Sequence, residues 1–467
     1  MMVSSFVIFS DPKTLRVRSH NYNGDFGFRR GFTWSGISSN DFAIRLVPAG
    51  FMFDAKGPMG FVDRIEMEAP IQGFLNSRIA SFLLRMLAPT LDFKLTHVLS
   101  LPFKASNTAS VARNVENVIQ LAKSDWDAYE TSWDFATPPL LSPAHRAESL
   151  EATYTHLRSH WQSMTDKVRR LEKENNCIFI DAYGLQDELT PDVSVAEITL
   201  TCNPVYRYGN RKTEAELEAL LLADTIREFL SYAIGCMFGR YSLDEPGMIL
   251  ANQGDGIEQY LAKVPKPKFA PNADNIIPLL DRDWVDGDAT TRFHAFLRIT
   301  FGDERFEENL AFVETAIGKD VRKFFLRDFF ADHLKRYKKW PIYWLFSSGP
   351  ERAFQALVYL HRYDESTLAR MRTEYVLPLQ GRMAARIEQI ESDKLKAAGA
   401  SLRKKLQKEQ DDLKRQIKEL AAFEEKLRHV ADQRIVLDLD DGVKANYAKF
   451  GDLLAESRAI VGAEDDE

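Results

Sequence analysis

Leu406, Leu413, Leu420 and Leu427 stand seven residues apart inside a stretch, 367–432, that is interrupted only at Pro378, at Gly381 and at the AAGAS step of 397–401. A seven-residue apolar repeat commits a chain to paired helices, because it keeps one seam turned toward a partner along its whole length. Phe423 and Val430 fill the second seam position of the same register, but Glu409 and Gln416 hold its earlier turns. Charged and amide side chains there argue against a parallel two-stranded zipper. The spacing predicts two long helices folded back on each other near Gly399, an antiparallel, coiled-coil-like hairpin of the kind that serves as a spacer or clamp.

The rest of the chain reads as α+β and predominantly helical. Residues 1–104 form an N-terminal α/β domain: FAIRL at 42–46 and GFMFDA at 50–55 alternate in period two around the turn formers Pro48 and Gly50, and 76–88 carries apolar residues at helical spacing before Pro89. Residues 105–345 form a mainly helical body. Its segment 214–238 starts polar and becomes almost wholly apolar, the pattern of a buried core helix. A short buried strand at 342–346 leads into residues 346–435, which hold a helix entered at Pro350 and running to 362, and the hairpin. Residues 436–467 form a C-terminal segment ending in the acidic GAEDDE tail, expected to be disordered.

Composition narrows the function classes. No apolar run approaches the roughly 18 residues that span a bilayer, and the start has no basic n-region, so neither a membrane anchor nor a secretory signal is expected and the chain should be cytoplasmic. Cys177, Cys202 and Cys236 form no CxxC pair and read as free thiols. The net charge is −7, yet residues 1–104 carry 12 Lys and Arg against 8 Asp and Glu. A mildly basic first quarter on an acidic body fits one DNA-facing domain attached to a scaffold.

Several motifs invite chemistry and fall short of it. NPVY at 203–206 is close to the Asn/Asp-Pro-Pro-aromatic loop that grips a flipped adenine amine, but Val205 replaces the second proline and no glycine-rich cofactor turn precedes it. It is expected to be a turn after a buried strand. His156 and His160 share a helix face as zinc ligands do, without a glutamate between them or a third ligand. The acidic run DRDWVDGD at 281–288 is misspaced for calcium. More promising, Arg29 and Arg30 precede a block containing Thr33, Ser35, Ser38 and Ser39, and Arg45 follows it. Hydroxyls and amides position phosphates, and arginine reads guanine edges. A second basic run, HLKRYKKW at 333–340, offers Lys335, Arg336, Lys338 and Lys339 to phosphate, and the SSG turn at 347–349 offers amides to an anion.

Residues 31–60, 75–103, 130–135, 182–191, 232–247, 340–349 and 437–454 form ordered blocks that resemble the C-terminal half of PglX-type adenine-specific DNA methyltransferases of BREX phage-defence systems. The resemblance implies that residues 1–104 are a target-recognition domain holding Arg29, Arg30, Thr33, Ser35, Ser38, Ser39 and Arg45. It also implies that the S-adenosylmethionine site and the true NPPY loop lie upstream of this segment, so that no cofactor, metal or catalytic residue is expected within it. The expected partners are double-stranded DNA and the catalytic methyltransferase half or other BREX proteins. Two other readings stay open: an interaction scaffold without DNA contact, and a degenerate methyltransferase using Asn203–Tyr206.

Overall fold

The computed structural model describes residues 23–38, 42–54, 56–87, 92–397 and 399–462. Ser39 and most of the acidic tail lie outside the described residues. The elements are mostly helices with two small antiparallel sheets, so the fold is predominantly helical α+β. They group into two compact units that interleave along the chain, 1–124 with 162–206 and 125–161 with 207–467.

In the first unit a three-stranded antiparallel sheet has the order β2-β1-β3, with β1 at Gly31–Trp34, β2 at Ile44–Val47 and β3 at Met59–Gly60. Phe32, Trp34 and Ile44 point into the core, and the alternate residues Thr33 and Arg45, directly opposite each other, point out. Over 50–54, the described part of the strand expected at 50–55, no strand is formed. Asp54 instead accepts the amides of Lys56 (2.8 Å) and Gly57 (2.7 Å), an Asx turn that ends the extended run and moves the third strand to Met59–Gly60. Helix α1 (Glu68–Leu75) and helix α2 (Arg78–Leu87) cover the inner face. The helix expected over 76–88 is there, but it buries Ile79, Ala80 and Leu84 and leaves Met86 and Leu87 exposed. Val111, Val115, Phe179 and Ile180 close the same core. Gly73 permits this approach, since a Cβ there would lie 2.5 Å from Val111 Cγ1. Phe179 and Ile180 belong to α3 (Leu150–Tyr183), whose earlier residues belong to the second unit.

The second unit is built on α4 (Glu214–Phe238). A reciprocal capping box starts it: Glu216 N donates to Thr213 Oγ1 (3.3 Å) and Thr213 N to Glu216 Oε2 (2.8 Å). Gly239 at φ +75° ends it. From Phe229 to Phe238 every residue is buried, as its sequence predicts. Beside it lies a second antiparallel sheet of order β4-β6-β5, with β4 at Ile276–Pro278, β5 at Tyr343–Ser347 and β6 at Gln355–Tyr359. Here the expected helix from Pro350 to 362 is corrected to a β-hairpin. Gln355–Tyr359 is buried on both faces, so the strand shows no alternation and cannot be told from a buried helix by its pattern. The hairpin of long helices is formed as expected by α6 (Leu377–Lys396) and α7 (Ala400–Asp432). Met383 and Ile390 of one, with Leu406, Leu413, Leu420 and Leu427 of the other, are buried. The turn before Pro378 widens into a π-helix, Met371–Val376, where the proline cannot donate an amide.

Candidate nucleic-acid interface

The pleat of β1 separates the two arginines that precede it. Position 29 has the parity of Gly31 and Thr33, the outer face, and position 30 that of Phe32 and Trp34, the inner one. Arg30 accordingly folds onto the start of α1 and donates from Nε (2.9 Å) and Nη2 (2.6 Å) to Glu68 Oε2. That bond raises the Arg30 pKa and satisfies a carboxylate only 6% exposed. Arg29 lies over the rings of Phe26 (4.9 Å) and Phe61 (5.8 Å) and is exposed. Arg45 is exposed as well, and donates from Nη1 to Ile44 O (2.9 Å) and from Nη2 to Thr199 Oγ1 (3.0 Å). The outer face thus carries both Arg29 and Arg45, at separate places along it, and leaves Arg30 out.

The hydroxyls divide similarly. Thr33 Oγ1 donates to Pro58 O (2.9 Å) and holds the approach to β3. Ser35 is exposed beyond the end of β1, and Ser38 is half-buried. Trp34 is core, its Nε1 donating to Phe93 O (3.0 Å). Beneath Arg45 lies a carboxyl that sequence reasoning missed. Burial pushes Glu172 up to about 7, against the opposing pull of Arg45 and with a further push from Glu197. Glu197 is itself held by Arg78 at 2.7 Å. An aromatic cluster around Arg29 was missed too. Phe61 packs on Phe26 (5.2 Å) and Phe53 (5.9 Å), and Phe26, Phe28, Phe51 and Met52 are exposed. The paired Phe-x-Phe spacings at 26–28 and 51–53 were its visible sign. A cation held over exposed rings can meet phosphate with its charge and a base or sugar with its rings.

The basic run of the second unit is mostly committed inward. His333 is buried, and its Nε2 accepts the amides of Ile342 and Tyr343, both at 3.1 Å. Burial, then Arg336 and Arg240, hold its pKa well below the usual value. Arg336, on helix α5 (Phe329–Arg336), pairs with Asp332 (2.9 Å). Burial would weaken its hold on the proton, but Glu228 and Asp332 more than restore it. Lys335, Lys338 and Lys339 are exposed, the last two in the left-handed region at φ +49° and +66°. The SSG turn does hold an anion, though no helix starts there. Glu419 of α7 accepts Ser348 Oγ (2.6 Å) and the amides of Glu351 (2.7 Å) and Ala353 (3.2 Å).

Asn203 does not fit the part of an amine-gripping loop. It is 1% exposed, and its Nδ2 donates to Val195 O (2.7 Å) and Ile198 O (2.9 Å) while Oδ1 accepts Val205 N (3.2 Å). The residues before it form a 3-10 turn, Val195–Glu197, and not the expected strand. Asp288, within the acidic run, caps the helix Ala289–Phe301 and pairs with Arg322. Among the described residues no cluster of three or more His, Cys, Asp or Glu could hold a metal, and no helix is long and apolar enough to cross a membrane.

Over nearly all its length the chain is similar to known proteins. No protein-family model matches the chain. It is 40% identical over 452 residues to the adenine-specific methyltransferase PglX of Lacticaseibacillus casei (strain Zhang), covering 94% of this chain and 36% of that protein. It is 38% identical over 459 residues to the adenine-specific methyltransferase BrxX of Escherichia coli O9:H4 (strain HS), covering 94% of this chain and 37% of that one. The chain is therefore a relative of adenine-specific methyltransferases and spans little more than a third of their length. Within that class it is PglX-like.

Proposed function

We propose that this chain is the sequence-recognition and scaffold part of a PglX-like, S-adenosylmethionine-dependent N6-adenine DNA methyltransferase acting in the cytoplasm in BREX-type phage defence. The supporting observation is the identity of about 40% to PglX over 94% of the chain. In this reading the outer face of β1 and β2, with Arg29, Arg45 and Ser35, meets duplex DNA, while Arg30 and Thr33 hold the sheet in shape. The flipping of adenine and the methyl transfer belong to the part of the relatives' length that this chain does not span, and the helical unit docks that catalytic half or other defence proteins.

The test is a mobility shift with duplex DNA over a range of salt, run beside a tritium-transfer assay with S-adenosylmethionine. The expected result is binding that weakens steeply with salt and falls in an Arg29→Ala/Arg45→Ala double variant, with no methyl incorporation by the chain alone. Salt-independent binding, or robust incorporation, refutes the reading.

A further inference from the structure

Among the described residues, positive charge without a carboxylate partner collects at the outer end of the helical hairpin. Between Lys394 and Lys408 stand Lys394, Lys396, Arg403, Lys404, Lys405 and Lys408 with no Asp or Glu among them, in a chain of net charge −7. All but Lys394 are exposed. Lys394 bonds the amide oxygens of Gln407 and Gln410, which do not cancel its charge, and Arg403 Nε donates to Ala397 O (3.0 Å) to close the turn. Glu409, Glu391 and Asp393, next to the tip, have partners elsewhere. Glu409 is held by Arg386 (3.0 Å) and Arg282 (2.9 Å), Glu391 accepts Gln410 Nε2 (2.9 Å), and Asp393 faces Arg386 (3.8 Å).

The tip also stands clear of the unit that carries it. Arg282–Glu409 is the outermost side-chain bond from α7 to anything beyond the hairpin itself among the described residues. From Glu409 to Ala400 the helix rises a further 14 Å or so at about 1.5 Å per residue. We propose that this tip is a sequence-independent contact for the phosphate backbone of duplex DNA. Lysines on a projecting arm suit that role: they supply point charge and reach, and read no bases. Leu395 and Leu402 are exposed beside them. A membrane-docking helix, however, lays a whole apolar face into the headgroup layer. Here the apolar faces of both helices are spent on the seam through Met383, Ile390, Leu406 and Leu413, leaving two leucines at the apex.

The proposal rests on the reading of this chain as a DNA-binding part but not on the sheet face of the first unit, which allows separate failure. The experiment uses the full chain and two duplexes of unrelated sequence, with Lys396→Gln, Lys404→Gln, Lys405→Gln and Lys408→Gln combined in one variant. Glutamine keeps helix propensity close to that of lysine, and unchanged circular dichroism confirms the fold. Each lost phosphate contact is expected to reduce the slope of log K against log salt by about 0.9, so the variant loses roughly 2–4 in slope and about tenfold or more in affinity at 50 mM salt, equally for both duplexes. A wild-type slope retained by the variant overturns the tip contact and leaves the function standing. No DNA binding by the wild type overturns both. Loss of binding to vesicles of phosphatidylserine, with DNA binding untouched, overturns it in favour of a membrane.

Discussion

Replacing Glu172 with glutamine should stabilise the first unit in a pH-dependent way. Burial pushes this carboxyl from the ordinary 4.5 up to about 7. Between those two values the unfolded chain has released a proton that the folded chain still holds, so stability falls as pH rises through the window and levels off above about 7. The gap corresponds to about 3 kcal/mol at most, at roughly 1.4 kcal/mol per pH unit. Glutamine carries no proton to lose. At pH 5 the unfolded chain has already released most of that proton, so Glu172→Gln should be the more stable by only about 1 kcal/mol. At pH 8 it should be the more stable by up to that 3 kcal/mol. A chain of two units need not unfold in one step, so the suitable readout is native-state hydrogen exchange at Phe179 and Ile180, core residues on the same helix. Their exchange at pH 8, corrected for the intrinsic rate, should slow by up to about a hundredfold in the variant. A difference between variant and parent that is the same at pH 5 and pH 8 would show that Glu172 ionises freely and would refute the argument.

Three further outcomes follow from the same geometry. Arg30→Ala should cost about 1–2 kcal/mol, because it strands the buried Glu68 carboxylate, whereas Arg29→Ala should leave the urea midpoint nearly unmoved and weaken DNA binding; the reverse ranking would mean the pleat assignment is wrong. His333 is held well below its usual pKa by burial, so only the unfolded state gains a proton below about pH 6.5, and the exchange of the Ile342 and Tyr343 amides should accelerate as pH falls to 5.5. His333→Gln should abolish that acceleration. Glu419→Gln replaces a charged acceptor of three hydrogen bonds and should cost about 1–2 kcal/mol, read as faster exchange of the Glu351 and Ala353 amides with the rest of the second unit unaffected.

The sequence disclosed what is periodic and local. The leucine heptads announced the helical hairpin, and the shift from polar to apolar along 214–238 announced the central helix, because each pattern records which face meets the core. What it hid depends on partners far away in the chain. Arg29 and Arg30 look equivalent until β1 assigns them to opposite faces, and the partner of Arg30 is 38 residues on. Arg336 reads as an exposed helix-end cation, yet Glu228 and Asp332 draw it inward. The hairpin of β5 and β6 escaped notice because a strand buried on both faces has no period to detect, and Pro350 is as suited to a turn as to a helix entry. The aromatic setting of Arg29 joins residues from 26, 53 and 61, which no single window contains.

By its total alone a chain of net charge −7 is poorly suited to a polyanion, and the resolution lies in where the charges are spent. In the second unit Arg207, Arg322 and Arg336 are committed to carboxylates inside the fold, so these cations are not offered to solvent. The lysines of the hairpin tip do reach it. At physiological salt the Debye length is about 8 Å, shorter than the roughly 14 Å by which the tip projects past Glu409, so DNA approaching the tip is shielded from the acidic body behind it. At 10 mM salt the length grows to about 30 Å and the body's repulsion is felt as well. The rise in affinity on dilution should therefore flatten below about 20–30 mM salt, and the flattening should persist in the Arg29→Ala/Arg45→Ala variant. A fluorescence-anisotropy titration from 200 to 10 mM that stays linear in log K against log salt would show that the acidic body does not reach the DNA, and the account of a shielded arm would fail.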